Sequence, residues 1–256
     1  MKFTFKEIGR KIAKIKGGKK DKQFIYMVEN EDDLNKLKEG ESFDEIILEK
    51  GSTIQPLPNK KIVEKLFVAA PSGSGKSYYS GKWIKEYMKM FKDSECFVFS
   101  PIEYDKALDS NDIIRVDLDQ YLLNNPLKIQ DLEDSLVVFD DCESLKSKPM
   151  RDYVNYLRDS ILETGRHYNI RMIWIAHLIS NYTDTRRLLN ESTCVCTFPK
   201  SGSGTYQIKK FLQIQCGLEK TEISRFLTQP SRWVSIYRSY PQYVMHERGC
   251  YFPEID

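Results

Sequence analysis

The run Leu66-Phe67-Val68-Ala69, passing directly into Ala70-Pro71-Ser72-Gly73-Ser74-Gly75-Lys76-Ser77, leaves this chain few choices of fold. Four consecutive apolar residues read as a strand buried on both faces, the mark of a parallel sheet. A turn rich in glycine and serine follows, and then a periodic segment that predicts a helix from Lys76 to about Phe91. Strand, tight turn and helix in that order are the setting in which G-x-x-x-x-G-K-[ST] carries meaning. Ala70 stands at the first position in place of glycine. That residue starts the turn and does not approach a phosphate, so the exchange is tolerated.

Each residue of the loop has a physical task. Gly73 and Gly75 let the backbone reach φ > 0 and turn successive N–H groups toward a phosphate. The helix N-terminus adds partial positive charge. Lys76 supplies a point charge to the terminal phosphates, and the Ser77 hydroxyl is a ligand for Mg²⁺. The pattern implies ATP with Mg²⁺, with Ser72, Gly73, Ser74, Gly75, Lys76, Ser77 and Tyr78 as the nucleotide contacts.

The second requirement is a carboxylate at the C-terminal end of a neighbouring strand. Leu136-Val137-Val138-Phe139-Asp140-Asp141 meets it, with Asp140 on the metal side. Asp141 takes the place of a residue that orients or deprotonates water, although many hydrolytic ATPases carry the longer Glu there. Further strands are predicted at Cys96–Ser100, Ile113–Val116, Met172–Ile175 and Thr193–Phe198. Helices are predicted near Met150–Glu163 and Thr183–Leu189. This alternation predicts an α/β fold of the P-loop NTPase type, with a mainly parallel sheet flanked by helices. Helices at Thr205–Gln215 and Glu219–Thr228 and a hairpin near Trp233–Val244 close the chain. At the tip of the Met172–Ile175 strand, Trp174-Ile175-Ala176-His177 puts a polar residue where it would report on the terminal phosphate.

Ahead of residue 61 the pattern differs. Residues 1–22 hold nine lysines and arginines against two acids, net +7, which leaves −5 on the rest of a chain whose total is +2. Such asymmetry points to a polyanion or a membrane surface, or to a solvated basic tail. Phe3, Phe5, Ile8, Ile12 and Ile15 recur at near-helical spacing, so residues 2–22 read as a partly amphipathic segment. A strand at Phe24–Val28, a short helix over Asp32–Lys38 capped by Asn30, and a strand near Asp44–Leu48 complete a small α+β extension. Pro56, Pro58 and Asn59 set a boundary, giving an extension over 1–60 and an ATPase domain over 61–256. The chain has fifteen tyrosines and thirteen phenylalanines, yet no single stretch interleaves them with basic residues as a stacking platform.

Six cysteines show no CxxC pair and no zinc-ligand spacing, so they read as reduced thiols of an intracellular protein. No apolar run reaches the ~20 residues of a membrane span, and no signal peptide is visible.

Thr164-Gly165-Arg166-His167-Tyr168-Asn169 joins the helix to the strand that ends at His177. Together with Ala70–Ser77, the Asp140-Asp141 pair and His177, this run resembles the FtsK/HerA superfamily over about residues 61–200. Within it, the chain is most similar to viral genome-packaging ATPases of large DNA viruses, poxvirus-type, and their virophage relatives. Two departures stand out: His177 where cellular members often have Gln or Asn, and Asp141 where Glu is frequent. The resemblance implies ATP hydrolysis coupled to translocation of double-stranded DNA through a hexameric or pentameric ring. It also implies capsid or virion membrane proteins as further partners, and residence in the virion or the host cytoplasm. Arg166 is the candidate arginine finger toward a neighbouring subunit's ATP, with Arg186 and Arg187 as rivals. Lys200, Lys209, Lys210, the loop Ser201-Gly202-Ser203-Gly204 and the basic N-terminus are candidate DNA grips. A P-loop kinase, a non-motor nucleotide-binding protein and a cellular HerA-like translocase remain the alternatives.

Overall fold

In the computed structural model, residues 1–179, 185–201 and 204–254 are described. The chain forms two compact units, residues 60–195 and residues 1–59 with 196–256. The N-terminal segment contributes β1 (Lys2–Thr4), β2 (Arg10–Lys16), β3 (Phe24–Val28), the one-turn helix α1 (Glu31–Leu34), β4 (Glu45–Ile47) and β5 (Thr53–Pro56). The 60–195 unit follows with β6 (Lys65–Ala69), α2 (Lys76–Met90), β7 (Cys96–Phe99), β8 (Ile114–Val116) and α3 (Gln120–Asn124). It continues through β9 (Leu136–Asp140), α4 (Lys148–Thr164), β10 (Arg171–Ala176), α5 (Arg186–Glu191) and the start of β11 (Cys194–Thr197). Last come α6 (Thr205–Cys216), α7 (Lys220–Thr228), β12 (Val234–Tyr237), β13 (Tyr243–His246) and β14 (Gly249–Tyr251).

In the 60–195 unit the strands run in the order β11-β6-β10-β9-β7-β8, and β10 pairs in parallel with both β6 and β9, as β7 does with β8 and β9. The apolar runs read from the sequence are the buried strands. Leu66, Phe67, Val68, Val137, Val138, Phe139, Ile173 and Ile175 are all essentially without solvent contact. Each such side chain contributes about 1.5–3 kcal/mol relative to exposure. Ser147 caps α4 by accepting from Met150 N–H, and Met150, Val154, Leu157 and Ile161 form its buried stripe at helical spacing. The acid-bearing β9 does not adjoin β6 as the neighbouring-strand expectation had it. β10 lies between them, so the strand tipped by His177 is central to the site.

In the other unit, β1-β3-β2-β5 form an antiparallel sheet, and β4-β14-β13-β12 form a second antiparallel run. The amphipathic helical reading of residues 2–22 is corrected: this segment is β1 and β2. A bulge between Lys11 and Ala13 inserts one residue, so buried Ile12 and Ile15 fall three apart and imitate a helical spacing. Gly9 holds the turn into β2 at φ +88°, where a Cβ would lie 2.4 Å from the Met27 carbonyl oxygen. The helix expected over Asp32–Lys38 is only the single turn Glu31–Leu34, though Asn30 does cap it by accepting from Asp33 N–H. Pro56, read as a boundary, is the last residue of β5. The helix read near Thr183–Leu189 is seen from Arg186; Thr183 and Asp184 lie outside the described residues, as do Gly202 and Ser203 of the 201–204 loop. None of the six cysteines is in a disulfide, and all are buried. Among the described residues no helix is long and apolar enough to cross a membrane.

Candidate functional site

The loop from Ala70 to Gly75 leaves the C-terminal end of β6 and opens α2. Gly73 adopts φ +76° and Gly75 φ +100°, values that β-carbon-bearing residues rarely take. Gly75 caps α2 without any side-chain hydrogen bond, so the first amides of a fifteen-residue helix have no capping side chain. Ser72, Gly73 and Gly75 are exposed, and Ser74 and Ser77 are half-buried. Tyr78 is exposed, with the Lys82 ammonium 4.0 Å above its ring.

Lys76 is only 7 % exposed. Its Nζ donates to the Ala70 carbonyl at 2.7 Å and lies 3.1 Å from His177 Nδ1. On the other side of that ring, Nε2 is 3.0 Å from Asp141 Oδ1, a buried oxygen that completes no hydrogen bond. The line Lys76–His177–Asp141 therefore crosses the tips of β6, β10 and β9 in strand order. The Lys76 ammonium can only donate, so Nδ1 is the ring nitrogen that accepts from it, and Nε2 is the one that faces Asp141. Burial lowers the Lys76 pKa, and the negative charges of Asp141, Glu143 and Asp140 partly oppose that shift.

Asp140 ends β9 and is 2 % exposed; its Oδ2 accepts from the Ser100 hydroxyl at 3.2 Å. Burial first, and then the like charge of Asp141, push its carboxyl up to about 6. Asp141 leaves the strand at φ +50°, a left-handed conformation that aspartate tolerates better than most residues. Among the described residues, no three His, Cys, Asp or Glu side chains gather as a metal-ligand set.

Two residues of this cluster were not read from the sequence. Glu143 Oε1 accepts the His177 backbone N–H at 2.7 Å and so fixes the tip of β10. Its signal was the continuation of the acidic run Asp140-Asp141-Cys142-Glu143. Ser100 follows directly on β7 as Asp140 ends β9, and both strands are in register; a polar residue at that strand tip was its only trace.

Arg166 is not part of this cluster. It lies in the short 3-10 turn Gly165–Tyr168 just before β10, at the end of the parallel sheet opposite His177, and it is exposed. Its charge is felt by Lys65, at the start of β6. Arg187 is held on the surface by Asp159 at 3.2 Å and Glu163 at 2.8 Å, and Arg186 is exposed. Lys200, Lys209 and Lys210 are exposed.

No family model matches the chain. The chain is 38 % identical to the uncharacterized protein V3 of Sputnik virophage over 240 residues, 93 % of each protein. Among solved structures it is similar to the pCW3 conjugation coupling protein TcpA, monomer form with ATPγS. The TM-score is 0.50 at 11 % identity, over 95 % of this chain and 78 % of that one. It is also similar to the genome packaging NTPase B204 of Sulfolobus turreted icosahedral virus 2 in complex with AMPPCP, with a TM-score of 0.49 at 13 % identity, over 72 % and 97 % of the two chains. It shares with TcpA an α/β fold built on a large, mostly parallel sheet, and by sequence it belongs to the family of Sputnik virophage protein V3.

Proposed function

We propose that this chain is an ATP-hydrolysing motor that translocates double-stranded DNA and packages a viral genome. The observation that carries this reading is the convergence of Lys76, His177, Asp141 and Asp140 at one end of the sheet, beside the uncapped start of α2. The glycine turn and a helix start without a capping side chain suit the phosphates of a nucleotide. Buried Asp140 and half-buried Asp141, adjacent at the tip of β9, suit a divalent cation that would offset their mutual repulsion. Ser77 and Asp140 are the residues that would hold Mg²⁺, whose chemistry there is to neutralise charge on the phosphates. Ser100 steadies Asp140 for that task.

Lys76 exchanges the Ala70 carbonyl and His177 for phosphate oxygens. His177 Nδ1 thereby loses its cationic neighbour, and its Nε2–H remains to orient Asp141. Asp141 positions the attacking water and accepts its proton. His177 thus links the phosphate to the acid through one ring, a sensor role that its backbone bond to Glu143 supports. Arg166, too far along the sheet to serve this subunit's own phosphates, is assigned to the neighbouring subunit's ATP in a hexameric or pentameric ring. Relationship to a virophage protein favours the packaging role, exercised in the virion or the host cytoplasm with capsid or virion membrane proteins as partners. TcpA, which shares the fold, is a conjugation coupling protein solved with ATPγS, and this favours nucleotide-driven work on DNA.

The test is ATP turnover with and without duplex DNA of arbitrary sequence. A motor is stimulated several-fold by any duplex. A P-loop kinase turns over regardless of DNA, and a non-motor nucleotide-binding protein binds ATP without turnover; either result overturns the reading. Electron microscopy with a non-hydrolysable analogue and duplex then tests the ring.

A further inference from the structure

The four-stranded sheet β1-β3-β2-β5 has two unlike faces, and the strand register separates them. Ala13 pairs with Ile25 and Pro56, and Ile15 pairs with Ile54; these side chains are buried. On the opposite face, Lys11 stands across from Tyr26, Lys14 across from Phe24 and Gln55, and Lys16 across from Thr53. The Lys11 ammonium lies 3.9 Å from the centre of the Phe24 ring and 5.6 Å from that of Tyr26, while Lys14 is 5.9 Å from Phe24. The interleaving of basic and aromatic residues that no single stretch of sequence displays is thus made across two strands.

The distribution of ion pairs sets this face apart. Lys2, Lys6 and Arg10 of the same segment are each engaged by a carboxylate, from Asp44, Glu41 and Glu29. Among the described residues, Lys11 and Lys14 pair with none, nor do Lys19, Lys20 and Lys22 in the β2–β3 hairpin. Nearby acids are otherwise occupied: Glu7 accepts from the Tyr26 hydroxyl at 3.0 Å, and Asp21 from the Gly17 N–H at 2.7 Å. The negative face of the ring attracts the ammonium and holds it in place without a carboxylate.

We propose that this lysine-bearing sheet face docks the phosphate backbone of duplex DNA. The proposal rests on the DNA-motor reading and assigns to it a specific contact surface. Lys11 and Lys14, which no carboxylate among the described residues neutralises, complement a polyanion. The rings beneath are covered by the lysines, and Tyr26 is buried, so bases cannot stack on them as they do on a single-strand platform. No large apolar side chain is exposed on the face, so nothing on it enters a bilayer. The contact is therefore to phosphates, blind to sequence and sensitive to salt. From Lys11 to Lys16 the lysines span about 13 Å at the usual strand rise, the bulge taking up one residue. That is several phosphates of a duplex, which presents one per ~3.4 Å of axis on each strand.

The experiment is fluorescence anisotropy of a labelled duplex against salt concentration, for the full chain and for Lys11→Gln/Lys14→Gln. Lys11→Arg/Lys14→Arg and Lys36→Gln serve as controls, and each protein's melting temperature is recorded. The glutamine pair is expected to reduce the slope of log affinity on log salt by about 2, at roughly 0.9 per phosphate released. It is also expected to abolish most of the DNA stimulation while leaving DNA-free ATP turnover unchanged; the arginine pair and Lys36→Gln should behave as the parent. If the glutamine pair binds DNA with unaltered slope, the face is not the contact, and the motor reading survives. If the parent itself neither binds duplex nor is stimulated by it, the motor reading falls and takes this inference with it. If the glutamine pair loses only binding to phosphatidylserine vesicles, the face contacts lipid and the proposal is overturned.

Discussion

Lys65 and Lys76 lie at opposite ends of the same strand-and-loop unit, each 7 % exposed and each with its pKa lowered chiefly by burial. Their surroundings are otherwise unlike. Lys65 donates to the Leu162 carbonyl, sits 3.9 Å from Glu191, and has the charge of Arg166 working against it. Lys76 faces three acids and is held by a carbonyl and an imidazole, both of which it can leave. One buried lysine is satisfied by the fold. The other is surrounded by excess negative charge and bonded to replaceable partners, beside a helix end with no cap. Burial of a cation does not mark a functional site; the mismatch between the cation and its fixed partners does.

The strongest test of this contrast is Lys76→Ala. ATP turnover should fall by roughly 10³-fold or more, since the lost charge acts where phosphate charge is greatest. The melting temperature should fall only modestly, by what it costs to leave the buried Ala70 carbonyl without its donor. A large loss of stability with activity retained would make Lys76 a second Lys65. Arg166 is the next test, since it stands at the Lys65 end. Arg166→Ala should lower turnover by roughly 10²–10³-fold while nucleotide affinity holds. Mixing it with equally inactive Asp140→Asn subunits should restore part of the turnover, because some interfaces then pair an intact Arg166 with an intact Asp140. Failure to recover leaves Arg166 without a role across the interface.

How much of this was open to reading follows from the kind of burial. The central strands of the 60–195 unit, β6, β9 and β10, are covered on both faces, so each appears as a nearly unbroken apolar run. The polar residues that end the runs, Asp140, Asp141 and His177, were therefore identifiable by position alone. Spatial order was not: nothing in the sequence says that β10 enters between β6 and β9, and that insertion is what sets His177 between Lys76 and Asp141. Glu143 and Ser100 escaped notice because their roles depend on strand neighbours far apart in the chain. In the N-terminal segment, one bulged residue at β2 shifted the apolar phase and imitated a helix. The pairs Lys11–Phe24 and Lys14–Phe24 exist only once β2 and β3 are in register. Three-residue strands such as β14 and a five-residue helix such as α3 are too short to show any period.

At the Lys65 end, Lys65→Met should cost about 1–3 kcal/mol of stability, chiefly because the Leu162 carbonyl is left buried without its donor. ATP turnover at a temperature well below melting should stay within twofold of the parent. His177→Gln, which keeps a polar tip on β10, should lower turnover about tenfold, or 1.4 kcal/mol in the barrier. An unchanged rate would remove the imidazole from the path between Lys76 and Asp141.

The smallest effect separates the two lysines by pH. Burial holds the folded pKa of Lys65 below the ordinary lysine value, so between the two values the unfolded chain binds a proton that the folded chain does not. Stability then rises with pH across that interval, and the contribution is lost again as pH falls through the folded value. Lys65→Met removes this titration. Its unfolding free energy, measured by urea at pH 8, 9 and 10, should gain less on going alkaline than that of the parent. Arg166→Ala acts in the reverse sense: without the repelling guanidinium, the folded pKa of Lys65 moves back up, and the interval narrows from its lower side. Both variants should therefore flatten the alkaline rise, Lys65→Met more than Arg166→Ala. If Arg166→Ala leaves the rise intact while abolishing turnover, the two residues are electrostatically independent. Arg166 would then owe its position to the neighbouring subunit alone.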